Sequence, residues 1–190
     1  AYDECTVGCG TTDVYSEWKQ YKDLFPQGKG TQNAPFIIED ARLLTLADYV
    51  TGGGNTRGVW FRQEGDIVVD DVLKNTGRGD RWTPIGHTRT FEGDYDGGGY
   101  MVRKATVANI GTGIGIFGRV MGTIHNLGVE EVTIKSSEAN DRCGAIAGML
   151  VQDRYELSRA GSMQNCYSAR NTISGPYVGC VVGEMEKIPV

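Results

Sequence analysis

A chain of 190 residues with 39% hydrophobic content is long enough for one sizeable core, so one domain with an N-terminal attachment is expected. The net charge of −5, with no long like-charged run, leaves no basic footprint for nucleic acid or an anionic membrane, and no apolar stretch approaches the roughly 20 residues of a spanning helix. Glycine, at 28 residues against only 5 prolines, points to many tight backbone turns rather than a collagen-like or proline-rich chain.

Between Asp13 and Pro26 the apolar residues Val14, Trp18, Tyr21 and Phe25 recur at helical spacing, which predicts a short amphipathic helix capped by Asp13 and ended by Pro26. A polar hinge over 27–34 leads into the strand Pro35-Phe36-Ile37-Ile38. Asp40 then opens a second helix over 40–50, with Leu43, Leu46, Ala47 and Val50 on one face and Gly52-Gly53-Gly54 as its stop. Val59-Trp60-Phe61 and Asp66-Ile67-Val68-Val69 read as short strands, and from Trp82 onward the chain is brief β-rich pieces separated by glycine. No further helix is expected, with 153–160 the one ambiguous stretch.

The second half repeats itself. Gly115-Ile-Phe-Gly118 is followed by Ile124-His-Asn-Leu127, and Gly144-Ala-Ile-Ala-Gly148 by Met163-Gln-Asn-Cys166, which places Asn126 and Asn165 39 residues apart. Val178-Gly-Cys-Val-Val-Gly183 opens a third copy. Pieces too short to bury a face alone, recurring at such a period, predict stacked coils, two of about 20 residues per repeat. Their inward side chains would be Ile114, Ile116, Phe117, Val120, Ile124, Leu127, Ile146, Val178 and Val181. Asn126 and Asn165 are expected at structural corners, bonding the backbone of the neighbouring coil.

Five cysteines leave at least one without an intramolecular partner. Cys5 and Cys9, beside Gly8 and Gly10, are candidates for a small disulfide loop in an oxidising compartment, whereas Cys143, Cys166 and Cys180 read as small buried hydrophobes. Paired short zinc-ligand spacings are missing, so neither metal nor cofactor is expected.

Trp82-Thr-Pro84-Ile-Gly86, then Phe91-Glu-Gly93-Asp-Tyr-Asp96-Gly97-Gly-Gly99-Tyr-Met-Val102, then the Gly-Ile-Phe-Gly and Ile-His-Asn-Leu units resemble the GLUG-motif β-helix proteins. That family occurs in bacterial surface and secreted proteins, notably of Bacteroides-like gut bacteria, and in non-catalytic regions of some large surface proteases. The order of elements is followed over 36–183; Cys180, where a glycine is common, and the polar insertion Gln152 to Ser162 depart from it. The resemblance implies an all-β fold, a right-handed parallel β-helix with a capping helix at 40–50, spanning 35–190 behind an N-terminal extension, 1–34. It also implies a non-catalytic structural or adhesive module. The start at Ala1 fits signal-peptide removal and an extracellular or cell-surface location. The C-terminal coil is expected either to be continued by further residues of a larger surface protein or to be covered by another chain, with the extension as the assembly segment that would cover a neighbour's coil and build a filament head to tail.

The alternative is a carbohydrate-binding or polysaccharide-cleaving domain. Asp70 with Asp71 would point to opposite faces of a strand, and Asp94 with Asp96 would share a face only in an extended segment, where their glycine neighbours favour a turn with Asp96 bonding its own backbone. The glycine and aspartate run is a single copy, unlike the tandem loops that bind calcium. His125 is expected to face solvent, and Trp60, Trp82 and Tyr100 are the candidates for stacking on a sugar. No His-Glu-x-x-His or Gly-x-Ser-x-Gly element is present.

Overall fold

The computed structural model describes residues 23–186. Within them the chain forms four small sheets, parallel throughout. Sheet I is ordered β1 (Phe36–Ile38), β2 (Trp60–Gln63), β4 (Asp94–Asp96), β8 (Thr123–His125), β12 (Ser162–Gln164). Sheet II contains β6 (Gly113–Ile114), β10 (Arg142–Gly144) and β15 (Tyr177–Gly179), and sheet III contains β7 (Phe117–Val120), β11 (Ala147–Leu150) and β16 (Val182–Met185). In sheet IV, β3 (Ile67–Val68) pairs with β5 (Met101–Thr106) and β5 with β9 (Gly128–Lys135). The far edge of β9 takes both β13 (Tyr167–Ala169) and β14 (Thr172–Ser174). Helix α1 (Ala41–Thr51) follows β1, and helix α2 (Val69–Thr76) follows β3.

A single all-β parallel β-helix is therefore not what is observed. Strands from distant parts of the chain join in several separate sheets, and two helices stand among them. The spacing between paired strands is also uneven: Phe36 pairs with Phe61, 25 residues on, Trp60 with Asp94, 34 on, Asp94 with Thr123, 29 on, and Thr123 with Ser162, 39 on. The 39-residue period seen in sequence holds between β8 and β12 but not along the whole chain, and no division into 20-residue coils is seen.

Helix α2 was unexpected, and the segment Asp66 to Val69 is a strand only over Ile67–Val68. The β-branched run Ile67-Val68-Val69 and the lack of a side-chain cap at Val68 mask a helix whose later signals are clear. Asp70 and Asp71 lie in its first turn, Val69, Val72 and Leu73 are buried at i, i+3 and i+4, and Gly77 ends it at φ 69° with its N–H on the Leu73 and Lys74 carbonyls. Asp70 and Asp71 are thus helical rather than strand neighbours. Helix α1 buries Leu43, Leu44, Leu46, Ala47 and Val50.

Registered strands stack like side chains into columns. Phe36, Phe61, Tyr95 and Ile124 form one in sheet I, all buried, because successive residues of a strand face opposite sides. Phe25 joins its near end, its ring 5.5 Å from Phe36 and 5.6 Å from Phe61, and the contacts run on through Phe91 to Phe117. Phe25 and residues 27–34, expected as part of the extension, pack against β1: Ile37 N–H donates to the Gln27 carbonyl and Trp60 N–H to that of Gly30. Of the expected helix over 13–26, Asp23 and Leu24 are helical, while residues 13–22 and the Cys5–Cys9 pair lie outside the described residues.

The Trp82 to Phe91 segment covers one edge of sheet III. Ile85 and Phe91 bridge in parallel to Phe117 and Val120, and the Trp82 indole N–H donates to the Ile116 carbonyl at 2.9 Å. Gly86 needs its φ of 91° and its missing Cβ, which would sit 2.6 Å from the Arg119 carbonyl oxygen. Pro84, Phe91, Gly93 and Gly97 are buried in the same region, and Gly99 turns the chain at φ 83°.

Candidate functional site

The outward face of sheet I carries the densest polar cluster that the sequence singled out. Burial of Phe61, Tyr95 and Ile124 turns their strand neighbours outward, in two registered rows. One row is Trp60, Asp94, Thr123 and Ser162; the other is Arg62, Asp96, His125 and Gln164. Asp94–Asp96 is extended, so the two carboxylates share a face, contrary to the expected turn, which comes only at Gly97 to Gly99. Asp96 does accept from a nearby backbone group, the Gly98 N–H at 2.9 Å.

His125 lies between the two carboxylates and is only 24% exposed. Its Nε2 is 2.8 Å from Asp94 Oδ1, and its Nδ1 is 2.9 Å from the Asn126 amide nitrogen and 3.5 Å from Asp96 Oδ1. An amide nitrogen can only donate, so in the neutral ring Nδ1 accepts and the proton on Nε2 is directed at Asp94. The Asn126 amide also donates to Asp96 Oδ1 at 2.9 Å, and its oxygen accepts from the Asn165 amide at 2.7 Å. One hydrogen-bonded run therefore leads from Asn165 through Asn126 to Asp96 and to His125, and on to Asp94.

Burial pushes the Asp94 carboxyl above its ordinary range, against the opposing bond and charge of His125. Burial also raises Asp96, but the Asn126 and Gly98 donors, with His125 and Arg62 nearby, outweigh it and hold that carboxyl below its ordinary range. Asn126 and Asn165 both adopt positive φ, 54° and 50°, after β8 and β12. Asparagine tolerates this conformation better than most residues.

A second bend has no such signature in sequence. Lys104, Glu131 and Arg170 each sit at φ 55°, and Arg170 reaches both Glu130 and Glu131. Asn171 works beside them, its side-chain oxygen accepting the Val132 N–H at 2.8 Å. Long charged residues are poor predictors of left-handed backbone, so only the spacing of Arg170-Asn171 behind Glu131 could have pointed to them.

Of the aromatic candidates, Trp82 is fully buried and offers no sugar platform, Tyr100 is exposed, and Trp60 stands half-buried at the end of the first polar row. Cys143 is buried and Cys166 partly so, but Cys180 is exposed, and Val178, expected inward, is 48% exposed. Open cavities of about 750, 330, 290 and 270 Å³ lie elsewhere, and none of them is lined by Asp94, Asp96 or His125. Among the described residues no group of three His, Cys, Asp or Glu side chains is placed to hold a metal ion, and no helix is long and apolar enough to cross a membrane.

No family model, no curated protein and no solved structure matches the chain.

Proposed function

We propose that this chain is a non-catalytic extracellular surface module with a structural or adhesive role, in keeping with its resemblance to the GLUG-motif proteins. The observation that carries the reading is the place of His125. Two carboxylates with oppositely shifted acidities are the pattern that acid–base hydrolases use, and a glycosidic oxygen and an attacking group must fit between them. Here the imidazole occupies that space, bonded to Asp94 and held by Asn126, so the polar groups satisfy one another. Such a network stiffens a surface rather than waiting for a reactant.

The two polar rows favour a second reading, glycan binding without cleavage. Trp60 supplies an apolar face, and Asp94, Thr123 and Ser162 supply acceptors and hydroxyls along a line crossing the strands. Incubation with plant, host and bacterial polysaccharides, read as new reducing ends and in parallel as retention on immobilised glycans, tests both. No reducing ends are expected in either case. Turnover that vanishes in Asp94→Asn would overturn the non-catalytic reading, and glycan retention lost on Trp60→Ala would favour the second reading over the first.

A further inference from the structure

The polar insertion Gln152 to Ser162 folds back on itself and is tied down on both sides. Gln152 bridges Ala160 in antiparallel fashion, and the Asp153 N–H donates to the Arg159 carbonyl at 2.8 Å. The Asp153 carboxylate accepts the Tyr155 and Glu156 N–H groups at 2.8 and 3.1 Å and the Arg159 guanidinium at 3.0 Å. Those backbone donors, with the nearby arginines, hold the Asp153 carboxyl below its ordinary range. Arg159 also binds Glu92 at 2.7 Å, and Arg57 binds Glu156 at 3.1 Å, which fastens the loop to segments 67 and 99 residues earlier. A loop held this way presents Tyr155, 98% exposed, to solvent.

Between the loop and sheet III lies the open cavity of about 290 Å³, lined by Arg119, Met121 and Val151 on the sheet side and by Arg154 and Tyr155 from the loop. Arg119 has no role in holding the fold together. Its Nε is buried with no hydrogen-bond partner, and its guanidinium forms no ion pair with any described residue. Arg103, the other arginine with an orphaned Nε, has the Asp66 carboxylate 3.7 Å away. A buried donor without an acceptor is costly, and an incoming acceptor relieves that cost. The planar guanidinium fork matches the two oxygens of a carboxylate. Arg154 adds a second cation, and Asp153 is already engaged by Arg159, so Glu186 is the one uncommitted carboxylate among the described lining residues.

We propose that this cavity binds a carboxylate-bearing sugar residue of an acidic glycan, uronic or sialic, with its carboxylate on Arg119 and a ring face against Tyr155. This rests on the adhesive reading and gives it a ligand. The volume lies at the lower limit of ligand pockets, roughly 300–1,000 Å³, which suits one ring with the rest of the glycan leaving through the open side. Tyr155 supplies the amphipathic aromatic face at the rim. Glu186 accepts hydroxyl donors, which a sugar acid carries beside its carboxylate and an acidic side chain does not.

Isothermal titration calorimetry of the full chain with galacturonic acid trimer, its methyl ester, sialyllactose and a glutamate tripeptide tests this. Binding is expected for the free uronate or for sialyllactose, which tells the two sugar sources apart, with the ester and the peptide weaker by at least about tenfold. Arg119→Met and Tyr155→Ser should each weaken binding by a similar factor, and Arg119→Lys should not restore it, because a point charge lacks the fork. Trp60→Ala, on sheet I, should leave the affinity unchanged. Thermal melting checks the fold of each variant, and Tyr155→Ser, at a fully exposed position, keeps the test open if Arg119→Met is unstable. No binding of either acid sugar at millimolar concentration, equal binding of the ester or the peptide, or an affinity unmoved by Tyr155→Ser and by a folded Arg119→Met overturns the proposal. Release of reducing ends tests the non-catalytic reading separately, so either can fail without the other.

Discussion

The two ends of this molecule are built from the same kind of strand and finish differently. At the end nearest β1, Phe25 closes the aromatic column, residues 27–34 bond to β1 and β2, and the segment through Ile85 and Phe91 covers sheet III. At the other end five strands in the same parallel register leave Val178, Met185, Tyr167 and Tyr177 in water. Strand pairing alone therefore does not complete this core. Covering the last layer does, and only one end has its cover among the described residues.

The sharpest contrast is between like truncations at the two ends. Phe61→Ala removes a fully buried ring touching Phe25, Phe36 and Phe91 and should cost about 3–5 kcal/mol in denaturant unfolding. A cost near that of a surface substitution would mean that the column is not the core. Asn126→Ala comes next, at about 1–3 kcal/mol, because it strips donors from Asp96 and His125 and forces alanine to positive φ. Asn165→Ala, at an exposed position, should cost less than half as much, and equal losses would show that the layer, not its cover, sets the value.

The carboxylate pair gives a pH test with opposite signs. Asp96 is held below the ordinary 3.8, so it contributes stability that is present above that value and lost as pH falls through its lowered one. Asp94 is held above 3.8, so its contribution is present below 3.8 and lost as pH rises through its raised value. Asp96→Asn should flatten the acid loss of stability, and Asp94→Asn should raise neutral stability relative to acid stability. Urea midpoints at acid and neutral pH check this, and shifts of the same sign in both variants would contradict the assigned environments.

The smallest energetic effect belongs to the open end. Val178→Ala should cost less than about 1 kcal/mol in dilute monomer. Thiol labelling followed by site-resolved mass spectrometry should modify Cys180 first and Cys143 only on unfolding, since burial both shields the Cys143 thiol and pushes its pKa up. Equal labelling rates would remove the distinction between the two ends.

Much of this was legible in the chain. The inward residues Ile114, Phe117, Val120, Ile124 and Leu127 follow from the repeated short apolar pieces between glycines, and α1 from its 3.6-residue stripe. Three things were not legible. Helix α2 was hidden by a β-branched start, and the separation into four sheets was hidden because a repeat read at 39 residues says nothing of uneven pairing elsewhere. The Asp94–His125–Asp96 bridge was missed because it joins strands 31 residues apart through a pairing that only the register reveals.

Hydrogen exchange of the full chain tests the contrast between the two ends most directly. The amides of β12 to β16 should exchange far faster than those of β4, β8 and β9. Exchange of β15 as slow as that of β8 would contradict a core that is covered at one end and exposed at the other.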